Sequence, residues 1–325
     1  NCILEDHTGN IWLGTENGIN KYSRDKYKFD HIYHIPGNKS TIAANHVSSL
    51  LADDQGSLWV GTLGYGLDKI NLEDGSIVHY NERDDRPGKL ASNYVSDLYQ
   101  DRRGHIWVGL WRGVGFQRYL AGKDQFVLYS HNPDNLKTDW YVDFLEDSRG
   151  TFWAGFWGSD GMQEFDRESG QFVANEFSPL HHRPIDRKIS AVAYDHHGNV
   201  WIGCAQTNTI YRYNYTTGEM NATLYPSRHR NCNWSDIRDI QPMKNGDLWI
   251  AASKGLKRYL RSQDSIQCLG MPARAGYIED IVSTGPDKPV GVVTDKGYYL
   301  FFPGEEGFTP LVLEDGSQEV LSHTR

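Results

Sequence analysis

The sequence predicts an all-β fold, a seven-bladed β-propeller of four-stranded antiparallel blades, on three observations. Tryptophan recurs at Trp12, Trp59, Trp107, Trp153, Trp201 and Trp249, at intervals of 46 to 48 residues, and a period in the forties is that of a propeller blade. Each of these tryptophans sits in the same strand–turn–strand phrase. The composition agrees: 33 Gly suit a fold full of tight turns, and ten Trp with nineteen Tyr suit half-buried pleated surfaces.

The first strand and its turn are clearest in Ile3-Leu4-Glu5-Asp6-His7-Thr8-Gly9-Asn10-Ile11-Trp12, matched by Val47 to Thr62, Val95 to Leu110 and Val142 to Phe156, and more loosely by Ile189 to Cys204 and Ile237 to Ala252. A type I turn favours Asp at its first position and Gly at its fourth. Asp6/Gly9, Asp53/Gly56, Asp101/Gly104, Asp147/Gly150 and Asp195/Gly198 obey that rule. The Trp three residues beyond the Gly is expected to pack between neighbouring blades. A third strand such as Gly66-Leu67-Asp68-Lys69-Ile70 follows, and a fourth such as Ser76-Ile77-Val78-His79-Tyr80. A seventh copy lacks the Trp; aligning Gly297 with Gly18 puts Gly291 in its place. The blades fall at about 1–38, 39–85, 86–133, 134–180, 181–228, 229–272 and 273–315, all within one propeller spanning 1–325.

Charge and cysteines narrow the function. A net charge of −9 argues against a nucleic-acid partner, which requires a surplus of Lys and Arg on one face. No apolar run approaches the ~20 residues that span a bilayer, so no membrane contact is expected of this segment. Cys2, Cys204, Cys232 and Cys268 show no metal-ligand spacing. They read as buried free thiols, with a Cys204–Cys232 bridge as the alternative. Residues 1–6 already lie inside a repeat and 316–325 read as a lead-in to another strand, so a longer parent protein is expected.

The phrase Asp-x-x-Gly-x-Ile/Leu-Trp-Val/Leu-Gly-Thr followed by Gly-Leu/Ile-x-Lys-Tyr/Ile, almost intact at Asp6 to Tyr22 and Asp53 to Ile70, resembles the two-component regulator propeller repeat. Blade six departs from it at Ala251, and blade seven has lost both Asp and Trp. The sialidase Asp-box looks similar but fails on register, because its Asp stands five residues before the Trp and the shared Asp here stands six before. The resemblance implies the periplasmic sensor of a bacterial hybrid histidine kinase, arranged in tandem with a neighbouring propeller and recognising an oligosaccharide, with no cofactor and no metal.

Ligand contacts are expected where the repeat is broken, because loops on a rigid frame carry recognition. The turns after the second strand of blades three and four carry an extra tryptophan each, Trp111 beside Arg112 and Trp157 near Asp160. Aromatic faces and charged edges suit a sugar ring. A second set, His46, Tyr94, Tyr141, Lys188, Asp236 and Tyr277, stands just before successive first strands, with Trp140 and Trp234 close by. These are expected to encircle the mouth of the propeller channel. Packing under the long connections, or ordinary loop polarity, explains both sets as an alternative.

Two other functions stay open. A protein-interaction or dimerisation propeller would use the same aromatic face for a neighbouring domain or a second copy. A glycan hydrolase or lyase is the other, since blade five, from Gly198 to Tyr213, also resembles streptogramin-lyase propellers. Glycosidases need two carboxylates ~5–9 Å apart, and Asp139, Asp160 and Asp236 offer no unique pair. His181-His182 and His196-His197 lack partners at metal-ligand spacing. The segment is therefore expected to bind and not to catalyse.

Overall fold

A computed structural model describes residues 2–23, 28–111, 114–130, 141–156, 162–173, 189–195, 197–204, 207–224, 236–272, 274–283, 288–304 and 307–310. The chain is all-β: seven four-stranded antiparallel sheets, each a simple meander, form the blades of a seven-bladed β-propeller. Helix is confined, among the described residues, to the single 3-10 turn Arg261–Gln263. No helix among them is long and apolar enough to cross a membrane.

The chain groups into two compact units. The first comprises Asn1–Phe144, Phe156–Gly158 and Phe165–Phe172; the second comprises Leu145–Gly155, Ser159–Glu164 and Val173–Arg325. The first unit holds blade one, β1 (Cys2–Glu5), β2 (Ile11–Thr15), β3 (Gly18–Ser23) and β4 (Lys28–Ile32). It also holds blade two, β5 (Val47–Ala52), β6 (Ser57–Thr62), β7 (Gly66–Asn71) and β8 (Ile77–Tyr80), and blade three, β9 (Val95–Gln100), β10 (Ile106–Leu110), β11 (Gly115–Leu120) and β12 (Gln125–Tyr129). Blade four, β13 (Tyr141–Glu146), β14 (Phe152–Phe156), β15 (Met162–Asp166) and β16 (Gln171–Phe172), is shared between the units. The second unit holds blade five, β17 (Ile189–Tyr194), β18 (Asn199–Cys204), β19 (Thr209–Asn214) and β20 (Glu219–Leu224). Blade six, β21 (Ile237–Pro242), β22 (Leu248–Ala252), β23 (Gly255–Leu260) and β24 (Ser265–Leu269), and blade seven, β25 (Ile278–Ser283), β26 (Val290–Thr294), β27 (Gly297–Phe301) and β28 (Phe308–Pro310), complete it.

Every second strand is apolar on both faces because it is covered by neighbours on both sides; β2, β6, β10, β14, β18, β22 and β26 are buried along their whole length. The repeated tryptophan packs as expected. Trp59 of blade two joins Leu98, Val108 and Tyr119 of blade three in one cluster, and its ring meets Tyr119 edge-on at 4.9 Å.

The repeated aspartate does more than start a turn. In blade two, Asp53 Oδ1 accepts the Gln55 and Ser57 amides at 3.0 and 2.7 Å, while Oδ2 accepts the Trp59 indole N–H at 2.7 Å. The same Asp-to-Trp bond recurs at Asp6–Trp12, Asp101–Trp107, Asp147–Trp153 and Asp195–Trp201, at 2.8 to 3.5 Å. One carboxylate thus closes the hairpin and satisfies the N–H of a buried indole, which would otherwise cost free energy. Four donors also hold the Asp6 carboxyl down at about 2, against the opposing effect of its burial. Blade six has Met243 at this position, and the Trp249 N–H has no partner among the described residues.

A second device fixes the turn between strands two and three. Thr15, Thr62 and Thr294 donate their hydroxyls to the carbonyls of Gly18, Gly66 and Gly297 at 2.7 to 2.9 Å. The third strand then sends a buried polar side chain to the incoming connection. Asp68 Oδ2 accepts the Ala43 amide at 2.7 Å, and Gln117 Oε1 accepts the Ala91 amide at 2.8 Å. The thiol expectation needs correction: Cys268 is disulfide-bonded, while Cys2 and Cys204 are thiols, which also excludes the Cys204–Cys232 pairing.

Candidate functional site

The face carrying the strand-two-to-three turns is built by one recurrent bond. The residue just before a first strand accepts, on its carbonyl, the amide of the turn that follows the second strand. Leu63 N–H bonds His46 O at 3.3 Å, Trp111 bonds Tyr94 O at 2.8 Å, Ser253 bonds Asp236 O at 2.9 Å and Asp295 bonds Tyr277 O at 3.1 Å. The backbone is thereby pinned at His46, Tyr94, Asp236 and Tyr277, and their side chains are left to project from a rigid frame. His46 and Asp236 are exposed, Tyr277 is 53% exposed, and Tyr94 and Trp111 are half-buried.

Tyr94 and Trp111 are neighbours through that bond, and Leu63 forms an isolated β-bridge with Tyr94. The Tyr94 ring lies so near Gly64 that a β-carbon there would touch it at 3.5 Å. The next residue, Tyr65, is 60% exposed, the most exposed large hydrophobic side chain among the described residues. Sequence reasoning missed Tyr65; an aromatic residue between Gly64 and Gly66 was the signal. Tyr65, Tyr94 and Trp111 therefore make an aromatic strip along two adjacent blades of the first unit. In the second unit Asp236 lies 3.8 Å from Arg238, both exposed, and Asp295 Oδ1 accepts the Tyr277 amide at 2.6 Å. Tyr141 opens β13 and so lies one place further into its strand than Tyr94 does; its side chain is outside the described residues. Arg112, Trp157, Asp160, Trp140, Lys188 and Trp234 are outside them too.

The first strands contribute a second electrostatic feature. Asp239 of β21 and Asp280 of β25 occupy equivalent places, facing Ala251 and Val293 across a bulged register. Their carboxyls hydrogen-bond each other, and burial pushes Asp239 up to about 6. The Ile240 and Ile281 amides donate to Asp239 and Asp280 at 2.7 and 2.9 Å, which opposes the rise. Because the folded-state value lies above the unfolded one, this pair stabilises fully below about pH 4, and its contribution is lost as pH rises through about 6. Asp239→Asn is therefore expected to raise stability at pH 7 by about 1–2 kcal/mol and to leave it nearly unchanged at pH 4. Thermal melting of both proteins at the two pH values measures this; an equal shift at both would contradict the shared proton.

No group of three or more His, Cys, Asp or Glu among the described residues is placed to hold a metal ion.

The two component regulator propeller family model matches residues 1–17, 41–64 and 89–112; the Asp-to-Trp closure lies in all three segments and the threonine of the Thr-locked turn in the first two. Over these three segments the chain is similar to that family. Solved structures with this fold include an extracellular domain assigned to a hybrid two component system of B. thetaiotaomicron, with a TM-score of 0.71 and 19% identity over 90% of this chain and 38% of that one. Another is an extracellular domain assigned to a one component system of the same organism, at TM-score 0.68 and 19% identity, over 95% of this chain and 48% of that one. The chain thus spans less than half of either protein. Virginiamycin B lyase from Staphylococcus aureus shares the fold at TM-score 0.68 and 16% identity, with 90% of each chain covered. No curated protein matches the chain by sequence.

Proposed function

We propose that this propeller is an extracytoplasmic sensor domain of a bacterial two-component system and binds an oligosaccharide on the face of the strand-two-to-three turns. The observation that carries this reading is the strip Tyr65, Tyr94 and Trp111, held by backbone hydrogen bonds on a repeat frame of the regulator type. Partly exposed aromatic rings with neighbouring polar edges suit sugar rings, which present apolar faces and hydroxyl rims. Arg112, next to Trp111 in sequence, would extend the contact, and Trp157, Asp160, Asp236 and Tyr277 are further candidate ligand residues. The Cys268 disulfide supports an oxidising, periplasmic location. Binding would act on signalling only through unequal affinity for two arrangements of the parent sensor.

Titration calorimetry against a panel of oligosaccharides tests the reading. Tyr65→Ala/Trp111→Ala is expected to weaken any binding sugar at least tenfold, about 1.4 kcal/mol. Equal binding by the double variant would remove the aromatic strip from the site. Turnover of a glycan would favour the lyase-like alternative, and concentration-dependent self-association without sugar binding would favour an interaction propeller.

A further inference from the structure

The opposite face, with the Asp-x-x-Gly turns, is not uniform. Between blades three and four the groove beside the Asp–Trp pair is plugged. Arg167, the first residue past β15, is buried and donates to Asp101 Oδ2 at 2.9 Å. Arg103 and Glu168 form an ion pair beside it. In blade five the equivalent residue is Tyr215, whose hydroxyl bonds Ser148 and whose ring lies 4.2 Å from the Arg149 guanidinium. In blade six it is Arg261. In blade three the position holds Ala121, followed by Gly122 in place of Glu168, and Gln55 stands where Arg103 stands one blade on. Plug and flanking ion pair are both absent.

What remains is a pocket of about 370 Å³ between blades two and three, lined by Asp53, Trp59, Lys69, Tyr119, Ala121 and Lys123 among others. Asp53 is 4% exposed, and its Oδ2 accepts one hydrogen bond, from Trp59. Each of the other repeat aspartates satisfies this oxygen further: Asp6 from Asn10, Asp101 from His105 and Arg167, Asp147 from Arg149, and Asp195 from Asn199. In blade two the residue four beyond the Asp is Ser57, which brings its backbone amide to Oδ1. A buried carboxylate oxygen with spare acceptor capacity thus borders a vacant groove.

We infer that this pocket is a binding site for a guanidinium group, supplied by a ligand in the place that Arg167 fills within the chain one blade on. A planar guanidinium offers a carboxylate oxygen several N–H donors in a fixed fork, where an ammonium is a point charge. Lys69, 4.9 Å from the Trp59 ring centroid and 5.4 Å from that of Tyr119, opposes a cation. Arg118, in the same place over Trp107, does not keep Arg167 from Asp101. The guanidinium could belong to a free amino-acid-like molecule or to an arginine side chain of another polypeptide.

The test follows the Trp59 indole N–H signal, assigned with Trp59→Phe, in ¹⁵N-labelled protein. L-arginine is expected to shift it saturably, with citrulline, its neutral isostere, at least about tenfold weaker. Ala121→Arg is expected to abolish the shift by restoring the plug. Gln55→Arg/Gly122→Glu, which rebuilds the ion pair at two positions that line the pocket, is expected to weaken the shift, and it serves as the test if Ala121→Arg does not fold. The peptide Gly-Arg-Gly separates the sources: shifts equal to those of arginine point to a polypeptide, and shifts from free arginine alone point to a small molecule. No movement with arginine or with the peptide, an equal response to citrulline, or a response unchanged in the plugged variants would overturn the inference.

Discussion

Asp101→Ala is expected to lower the unfolding free energy by about 4 kcal/mol, the largest loss among substitutions at the repeat aspartates. Asp101 accepts the Arg103 and His105 amides on one oxygen and Trp107, His105 and Arg167 on the other. Both Asp101 and the Arg167 guanidinium are shielded from water, so the alanine variant takes the Asp101 carboxylate away from a buried cation. Removing one member of such a pair is costly because the other remains desolvated. Asp53→Ala removes similar turn and indole contacts but leaves no charge behind, and about 2 kcal/mol is expected there. Urea unfolding of the two variants decides the point: equal losses would show that the ion pair adds nothing. The double variant Asp101→Ala/Arg167→Met should recover part of the deficit.

Gly66→Ala is expected to cost about 3–5 kcal/mol, although it adds a single methyl group. Gly66 opens β7 at φ +97°, and a β-carbon there would lie 2.2 Å from the Tyr80 carbonyl oxygen of the next strand. That oxygen belongs to backbone, so relief requires prising β8 away from β7 as well as forcing a left-handed conformation on alanine. Gly75 supplies the control. Its φ is +73° with nothing within 4 Å of the added carbon, so Gly75→Ala should cost about 1 kcal/mol. Paired thermal melts check the contrast; similar losses at the two sites would mean that conformation alone, and not the close approach, selects glycine at the head of the third strand.

Both effects concern motif positions, and they show why the frame was readable. Asp, Gly, Trp and Thr act over three to six residues within one hairpin, so a repeated local spacing carries the geometry. The Asp–Trp hydrogen bond lies within that range, yet turn rules alone suggest only the first of the two carboxylate oxygens. Blade seven was legible from spacing because β25 to β28 keep the meander register without either side chain.

The candidate site was legible in part. Trp111 stood out because it breaks the repeat, and Tyr94 because it precedes a first strand. That the two meet through the Trp111 amide and the Tyr94 carbonyl depends on the end of one strand reaching back to the start of another, seventeen residues earlier in the same blade. Tyr65 sits in a turn that does not break the repeat, so its exposure is seen only in the folded turn. Cysteine spacing could not identify Cys268 as the disulfide-bonded thiol, because pairing follows proximity in space.

The sequence by itself determined the number of blades, the order of strands and the turn chemistry, since each rests on contacts between residues close along the chain. The vacant groove between blades two and three was decided only by tertiary structure. Ala121, Gly122 and Gln55 are unremarkable residues one by one, and their meaning lies in the buried Asp53 oxygen and in the Arg167 plug that a neighbouring groove contains. A missing side chain can be seen only against the space it would have filled.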